Sequence, residues 1–215
     1  MITADHKYWA RFVFNLYIDK QFKNYFNGFK IVNHLPVIDK NKSLIVLPNH
    51  FSWWDGFLID YINRKLINRK FYILMLEEQL NRYWFFQKLG AFSINQNNPK
   101  SIIETSLYFK QLLKFNNSLI SFYIQGKIEP FGYENITIKN GIKIFIKGNE
   151  QNTQLLPISF KFQYYEDKKP DILCRFGNVL NATDKNIDKL IKREFLDNLK
   201  NLDLASINKN WIETI

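Results

Sequence analysis

Short apolar runs alternate with helix-like patterns along the chain, and this alternation limits the possible folds more than any other sequence feature. It favours an α/β fold in which a mixed, largely parallel sheet is flanked by helices. The apolar runs predict strands at residues 43–48, 71–76, 91–95, 118–124, 154–163 and 171–177. The segments between and after them predict helices at residues 55–67, 77–88, 99–115, 139–148 and 183–201. Residues 164–170 are predicted to form a hairpin turn between the last two strands.

The predicted helix at residues 99–115 has the best-marked start. Asn98 has a side chain that can cap a helix, and proline suits the first helical position, where Pro99 stands. Ile103, Leu107 and Leu112 then recur at roughly helical spacing.

Residues 1–33 are predicted to form an N-terminal amphipathic, membrane-docking helical segment, followed by a single α/β domain at residues 34–215. Apolar residues here share one face of a helix: Tyr8, Trp9, Phe12, Val13, Leu16 and Tyr17. Basic residues flank that face: Lys7, Arg11, Lys20, Lys23 and Lys30. This pattern suits a helix lying in a membrane interface, and it equally suits a helix packed on the domain core.

The chain has 215 residues, the length of one domain, and a formal net charge of +10. Its positive charge favours attraction to an anionic membrane surface or to acidic partners. Nucleic acid is not expected as a partner, because the lysines are dispersed and no binding motif is found. No apolar stretch approaches the ~20 residues needed to span a bilayer, and the first residues lack a signal-peptide pattern. A cytoplasmic location is therefore expected.

Cys174 is the only cysteine, which excludes an intrachain disulfide and a cysteine-based zinc site. It lies in a predicted strand, where a small core residue is expected. The three histidines are scattered along the chain, so no metal site is expected.

His50 and Asp55 are the strongest candidates for chemistry. They follow the predicted strand at residues 43–48, and α/β proteins place their functional groups at such strand ends. A carboxylate five residues after the histidine can turn back and accept a hydrogen bond from one ring nitrogen. The other nitrogen then remains an acceptor, as a general base requires. Without further context, the same pair also fits a structural or accidental feature.

The segment Asn49-His50 with Asp55 resembles the first motif, Asn-His-x-x-x-x-Asp, of the glycerolipid (lysophosphatidic acid) acyltransferase family. Three later stretches also resemble family motifs, in the same order: residues 89–96, 122–130 and 155–159. In the first of these, Gln96 stands where the family has an arginine that helps hold the phosphate of the acyl acceptor. Glutamine is neutral and lacks the charge-assisted paired contacts of arginine.

The stretch at residues 122–130 resembles the Phe-Pro-Glu-Gly-Thr-Arg motif of the family. Gly126 is retained, Gln125 replaces the glutamate and Lys127 replaces the threonine. The last stretch resembles a Val/Ile-Pro-Val motif around Pro157. The resemblance therefore implies five substrate-binding positions: Gln96, Gln125, Gly126, Lys127 and Pro157.

The resemblance implies acyl transfer from an acyl-CoA or acyl-carrier-protein thioester to a lipid hydroxyl, with no bound cofactor. His50 would be the general base, Asp55 would orient it, and backbone N–H groups around Gly126 would stabilise the oxyanion. The acceptor is expected to be lysophospholipid-like. In the family an N-terminal helical element commonly docks on the bilayer, which favours peripheral association with the inner face of the membrane.

Two alternatives remain open at this point. The changes at residues 96 and 125 also fit a non-catalytic relative that binds lipid or acyl carrier protein. The positive charge also fits a nucleic-acid-associated protein, although no recognisable binding module supports it.

Overall fold

The computed structural model describes residues 1–134 and 136–215. Within this part of the chain, nine strands form one sheet. The strands are β1 (Phe29–Ile31), β2 (Ser43–Pro48), β3 (Lys70–Leu76), β4 (Ala91–Ile94), β5 (Ser118–Ser121), β6 (Thr153–Gln163), β7 (Asp171–Phe176), β8 (Leu180–Asn181) and β9 (Glu213–Thr214).

Helices cover both faces of this sheet. The α-helices are α1 (Tyr8–Tyr25), α2 (Asp55–Ile62), α3 (Glu77–Arg82), α4 (Pro99–Leu112), α5 (Ile142–Ile146) and α6 (Ile187–Ile207). A π-helical segment, Asn63–Ile67, continues α2, and 3-10 turns occupy Trp84–Leu89 and Glu150–Asn152.

The strand order is β4-β3-β5-β2-β6-β7-β1-β9, and β8 pairs with β6. The five strands from β4 to β6 are parallel, as is the pair of β1 and β7. The pairs β6–β7, β1–β9 and β6–β8 are antiparallel. The predicted mixed, largely parallel sheet flanked by helices is therefore confirmed, and the predicted hairpin joins Gln163 to its partner Asp171.

The sheet separates two hydrophobic cores. Leu44 and Val46 of β2 point towards α1 and α2, whereas Ile45 and Leu47 point towards α4, α5 and α6. Every residue of β2 is buried, because helices cover both of its faces. This explains why β2 is a continuous apolar run in the sequence rather than an alternating one.

Several element boundaries differ from the sequence-based expectation. The predicted helix at residues 55–67 becomes α2 and the π-helical segment, and Asn68, which follows that segment, has a φ of 57°. The predicted helix at residues 77–88 is divided into α3 and a 3-10 turn. The last helix begins at Ile187 and continues to Ile207. The strands β1, β8 and β9 were not predicted, because two or three residues show no recognisable periodicity.

Helix α1 is apolar on two opposite sides. Ala10, Phe14, Ile18 and Phe22 are buried against the same core as β2. The face identified in the sequence points outward, and the side chains of Tyr8, Trp9, Phe12, Val13, Leu16 and Tyr17 are 52–97% exposed. The expected basic flank is wrong at Arg11, which forms a 2.5 Å ion pair with the buried Asp60. In the described part of the chain, no helix has the length and apolar character needed to cross a bilayer.

Candidate active site

His50 and Asp55 lie together at the carboxyl edge of the parallel strands. His50 stands two residues after β2, and Asp55 is the first residue of α2. The distance from His50 Nδ1 to Asp55 Oδ2 is 2.8 Å. Because an ionised carboxylate only accepts hydrogen bonds, Nδ1 must donate to it. The same geometry leaves the lone pair on Nε2, as a general base requires.

Asp55 is held tightly by the loop that it closes. Its Oδ2 accepts from the backbone N–H groups of Phe51 (2.8 Å) and Ser52 (3.0 Å), and its Oδ1 accepts from Ser52 Oγ (2.9 Å). Asp55 is only 1% exposed, whereas the His50 side chain is 25% exposed. The carboxylate is thus fixed inside the protein while the imidazole reaches the surface of the site.

Asn49 anchors the strand end that carries the histidine. Its side-chain amide donates to the carbonyl of Phe160 (2.9 Å) and accepts from the N–H of the same residue (2.7 Å). Phe160 belongs to β6, which neighbours β2. The paired bonds fix the loop to the sheet and explain why an amide side chain precedes His50.

Tyr123 is a site residue that the sequence did not single out. Its ring lies 4.3 Å from the His50 imidazole, centroid to centroid, with the planes 33° apart. Burial raises the pKa of the Tyr123 hydroxyl well above its ordinary value, so the phenol stays neutral at physiological pH. It supports one face of the imidazole without adding a charge.

The imidazole lies in the wall of a mostly apolar cavity of about 640 Å³. This volume is within the usual range of small-molecule sites, about 300–1,000 Å³. On the side of α1 and α2, the apolar lining includes Phe14, Phe57, Phe71, Ile73, Phe86 and Leu89. Trp53 also lines the cavity, whereas Trp54 packs against Phe22 and Phe26.

Three of the five predicted substrate-binding residues line this cavity: Gln96, Gly126 and Lys127. They follow β4 and β5, whose carboxyl ends meet at the same edge as that of β2. Gly126 has a φ of 71°, a left-handed conformation that favours glycine, and the Lys139 side chain lies against it. Its N–H donates to the carbonyl of Tyr123 at 3.2 Å and is therefore already engaged. An oxyanion would need a different donor.

Gln125 and Pro157 have other surroundings. Gln125 is 1% exposed, and its side chain bonds to the backbone of His50 and to Glu129. Pro157 is buried within β6 beside Leu47 of β2. Substrate contact by these two residues stays a prediction, while the structure shows Gln125 bonded to the loop that carries His50 and Pro157 paired with β2.

Residues 30–161, more than half of the chain, match the sequence model of the family described as Acyltransferase. No curated protein matches the sequence.

Among solved structures, the chain is similar to the crystal structure of the 1-acyl-sn-glycerophosphate (LPA) acyltransferase, PlsC, from Thermotoga maritima. The TM-score is 0.62 and the sequence identity 15%, and the match covers 91% of this chain and 78% of that one. At this identity the likeness establishes a shared fold. The family match and the shared fold confirm the family predicted from the sequence motifs, and the chain therefore belongs to the acyltransferase family.

Proposed function

We propose that this protein transfers a fatty acyl group from a CoA or acyl-carrier-protein thioester to the hydroxyl of a lysophospholipid-like acceptor, with His50 as general base. The observation that carries the proposal is the 2.8 Å bond between His50 Nδ1 and Asp55 beside an apolar cavity. A hydroxyl is a weak nucleophile at neutral pH, and an oriented imidazole overcomes that weakness.

The reaction needs no covalent enzyme intermediate. His50 Nε2 takes the proton of the acceptor hydroxyl as its oxygen attacks the thioester carbon. The tetrahedral intermediate collapses, the carbon–sulfur bond breaks, and the leaving thiolate receives the proton from the imidazolium. Asp55 stabilises the imidazolium between these steps and keeps Nδ1 protonated.

The acyl chain would lie in the apolar part of the cavity. Phe71 and Ile73 of β3 and Phe57 of α2 line this part. Each methylene buried there would contribute about 0.8 kcal/mol to binding. The thioester carbon would then lie at the His50 end of the cavity, within reach of the acceptor.

The acceptor would be bound without an arginine at residue 96 to contact its phosphate. Gln96 is exposed at the position where the resemblance implies an arginine. Lys127 forms a 3.2 Å ion pair with Glu129, so part of its charge is already neutralised. Lys139 reaches the same rim beside Gly126. We therefore propose a lysophospholipid or another lipid hydroxyl as the acceptor, in preference to one bound through its phosphate alone.

The outward face of α1 would dock the protein peripherally on the inner face of an anionic membrane. Its aromatic and aliphatic side chains are exposed, with Phe12 at 67% and Leu16 at 62%. Exposed apolar residues beside lysines suit the boundary between headgroups and acyl chains. Docking there would deliver lipid acceptors to the cavity, since Phe14 of the same helix lines it.

A screen of acceptors with purified protein tests the proposal. Acyl-CoA and acyl-carrier-protein donors would be incubated with lysophosphatidic acid, other lysophospholipids and lipids linked to amino acids, and products identified by mass spectrometry. An acylated product that requires both donor and acceptor is expected. Efficient use of lysophosphatidic acid alone would contradict the interpretation of Gln96. Lipid or carrier-protein binding without any product would favour the non-catalytic alternative, which the changes at residues 96 and 125 support.

A further inference from the structure

The backbone of His50 is held on both sides by the loop that follows β5. The side-chain oxygen Oε1 of Gln125 accepts from the His50 N–H at 2.6 Å. The N–H of Glu129 donates to the His50 carbonyl at 2.9 Å. The peptide groups on either side of the histidine are therefore fixed by two residues four positions apart, neither of which lines the acyl-chain side of the cavity.

The two residues are also bonded to each other. Gln125 Nε2 donates to Glu129 Oε2 at 3.1 Å. The Glu129 carboxylate accepts further bonds from the N–H (3.1 Å) and the hydroxyl (2.7 Å) of Thr137, and it pairs with Lys127 at 3.2 Å. These bonds, that from the Thr137 hydroxyl first, lower the pKa of Glu129 to about 2, so it is ionised throughout the physiological range.

This arrangement explains why an amide stands at residue 125. The Gln125 side chain accepts from His50 and donates to Glu129 at the same time, which an amide can do and an ionised carboxylate cannot. A glutamate at residue 125 would still accept from His50, but it would bring two carboxylates within about 3.1 Å of each other. Like charges at that distance repel, and one of the carboxyls would have to take up a proton.

We propose that Gln125 and Glu129 act as one positioning unit for His50, in which the carboxylate expected at residue 125 is supplied instead from residue 129. The inference rests on the proposed function, because it assigns these residues to the placement of the general base. The stretch at residues 122–130 then keeps a carboxylate beside the His50 loop, and the site stays competent for acyl transfer.

Three variants test the unit: Gln125→Glu, Glu129→Gln and the double exchange. Gln125→Glu sets two carboxylates against each other, and Glu129→Gln places an amide N–H₂ group where Thr137 and Lys127 donate. Each single variant should therefore lower kcat about 10–100-fold, because small displacements of a catalytic group have effects of this size. The KM of the acyl donor should stay within about threefold, since Gln125 does not contact the cavity. The double exchange, Gln125→Glu with Glu129→Gln, restores an amide–carboxylate pair. Its kcat should be at least about tenfold higher than that of the less active single variant.

Gln154→Glu is a matched control. Gln154 is 2% exposed, and its amide both accepts from the N–H and donates to the carbonyl of Asp39, far along the chain from His50. This variant measures how much a buried carboxylate lowers the stability of the protein when it makes no contact with His50. Its melting temperature should fall as that of Gln125→Glu does, while its kcat stays near that of the parent.

The outcomes separate this inference from the proposed function. Without acyl transfer by the parent protein, the proposed function fails and the inference falls with it. If the parent protein is active, two outcomes would overturn the inference alone. One is an unchanged kcat in both single variants, and the other is a kcat in the double variant that is lowered by the product of the two single-variant decreases. If Gln125→Glu does not fold, Glu129→Gln decides: a normal kcat refutes the unit, and a reduced kcat with an unchanged melting temperature and donor KM supports it.

Discussion

Asp55 combines two tasks in one side chain. It closes the loop after β2 through the N–H groups of Phe51 and Ser52, and it orients the imidazole of His50. A carboxylate can only accept hydrogen bonds, so its contact with Nδ1 fixes the tautomer of the histidine. The sequence spacing predicted the pair correctly, because a five-residue turn allows few other positions for the carboxylate. It did not reveal Ser52 or Tyr123, which act through contacts that no motif encodes.

Replacing Asp55 by Asn should lower kcat by about 10²-fold or more with little change in KM. The amide can offer its N–H₂ group to His50, which favours the tautomer that lacks a free Nε2 lone pair. Steady-state kinetics would measure the effect. Asp203→Asn, which removes a 2.8 Å ion pair with Lys161 in another part of the molecule, controls for the loss of a carboxylate. A kcat for Asp55→Asn within twofold of the parent value would be incompatible with an orienting role.

The lowered pKa of Glu129 predicts a pH-dependent contribution to stability. Its pKa falls from an ordinary 4.5 to about 2 on folding, so the contribution is fully present above the unfolded value and is lost as the pH falls towards 2. Urea unfolding of the parent and of Glu129→Gln from pH 6 to pH 2.5 would measure it. The difference in unfolding free energy should be constant above about pH 5 and should shrink below pH 4.5. A difference that grows on acidification would contradict the assignment.

Among the secondary-structure elements, the strands of the parallel core were the easiest to predict. Strands such as β2 are buried on both faces and therefore appear as continuous apolar runs. Helix α4 shows where spacing misleads. Its start and length were close to the prediction, but Ile103 and Leu107 are 62% and 57% exposed, while Thr105 is buried. The inward-facing Thr105 hydroxyl lies 2.9 Å from the carbonyl of Ser93 and 2.7 Å from that of Ser101, and its one proton can be donated to either. Apolar periodicity cannot show such a contact.

The cap of α4 offers a direct test at this scale. The side-chain oxygen of Asn98 accepts from the N–H groups of Lys100 (3.0 Å) and Ser101 (3.4 Å), as its position in the sequence predicted. Asn98→Ala should cost about 1 kcal/mol of unfolding free energy, and Asn98→Ser should cost much less because serine also caps. Chemical denaturation would compare the two. Equal stability of the alanine variant and the parent would show that the cap is irrelevant here.

Helix α1 carries the prediction of membrane docking. Phe12→Glu combined with Leu16→Glu should weaken binding to anionic phospholipid vesicles at least about tenfold, because both side chains belong to its exposed apolar face. Vesicle co-sedimentation would measure binding. Ile103→Glu combined with Leu107→Glu is the matched control, since these residues have the same spacing and similar exposure on α4. Equal loss of binding in both double variants would indicate that charge alone, and not α1, governs attachment.

For the whole molecule, the sequence predicted the fold class and the edge of the sheet where His50 and Asp55 meet. It could not predict the cavity, because Phe14, Phe71, Leu89 and Tyr123 come from distant segments that meet only after folding. The sequence also could not predict that the Glu129 carboxylate lies beside Gln125, because this contact forms only in the folded chain. In the sequence, Gln125 is the replacement of a charged residue by a neutral one. In the structure, the carboxylate of Glu129 lies 3.1 Å from its side-chain nitrogen and supplies a negative charge nearby.

The most direct test compares His50→Ala with His34→Ala, a matched change at an exposed histidine. Acceptor-dependent acyl transfer would be measured for both variants and for the parent protein, at equal folded concentration. A general base contributes typically ~10²–10⁴-fold, so His50→Ala should lose at least about 10²-fold in kcat while His34→Ala keeps the parent rate. Transfer by His50→Ala within a few fold of the parent rate would contradict the assignment of His50 as the base.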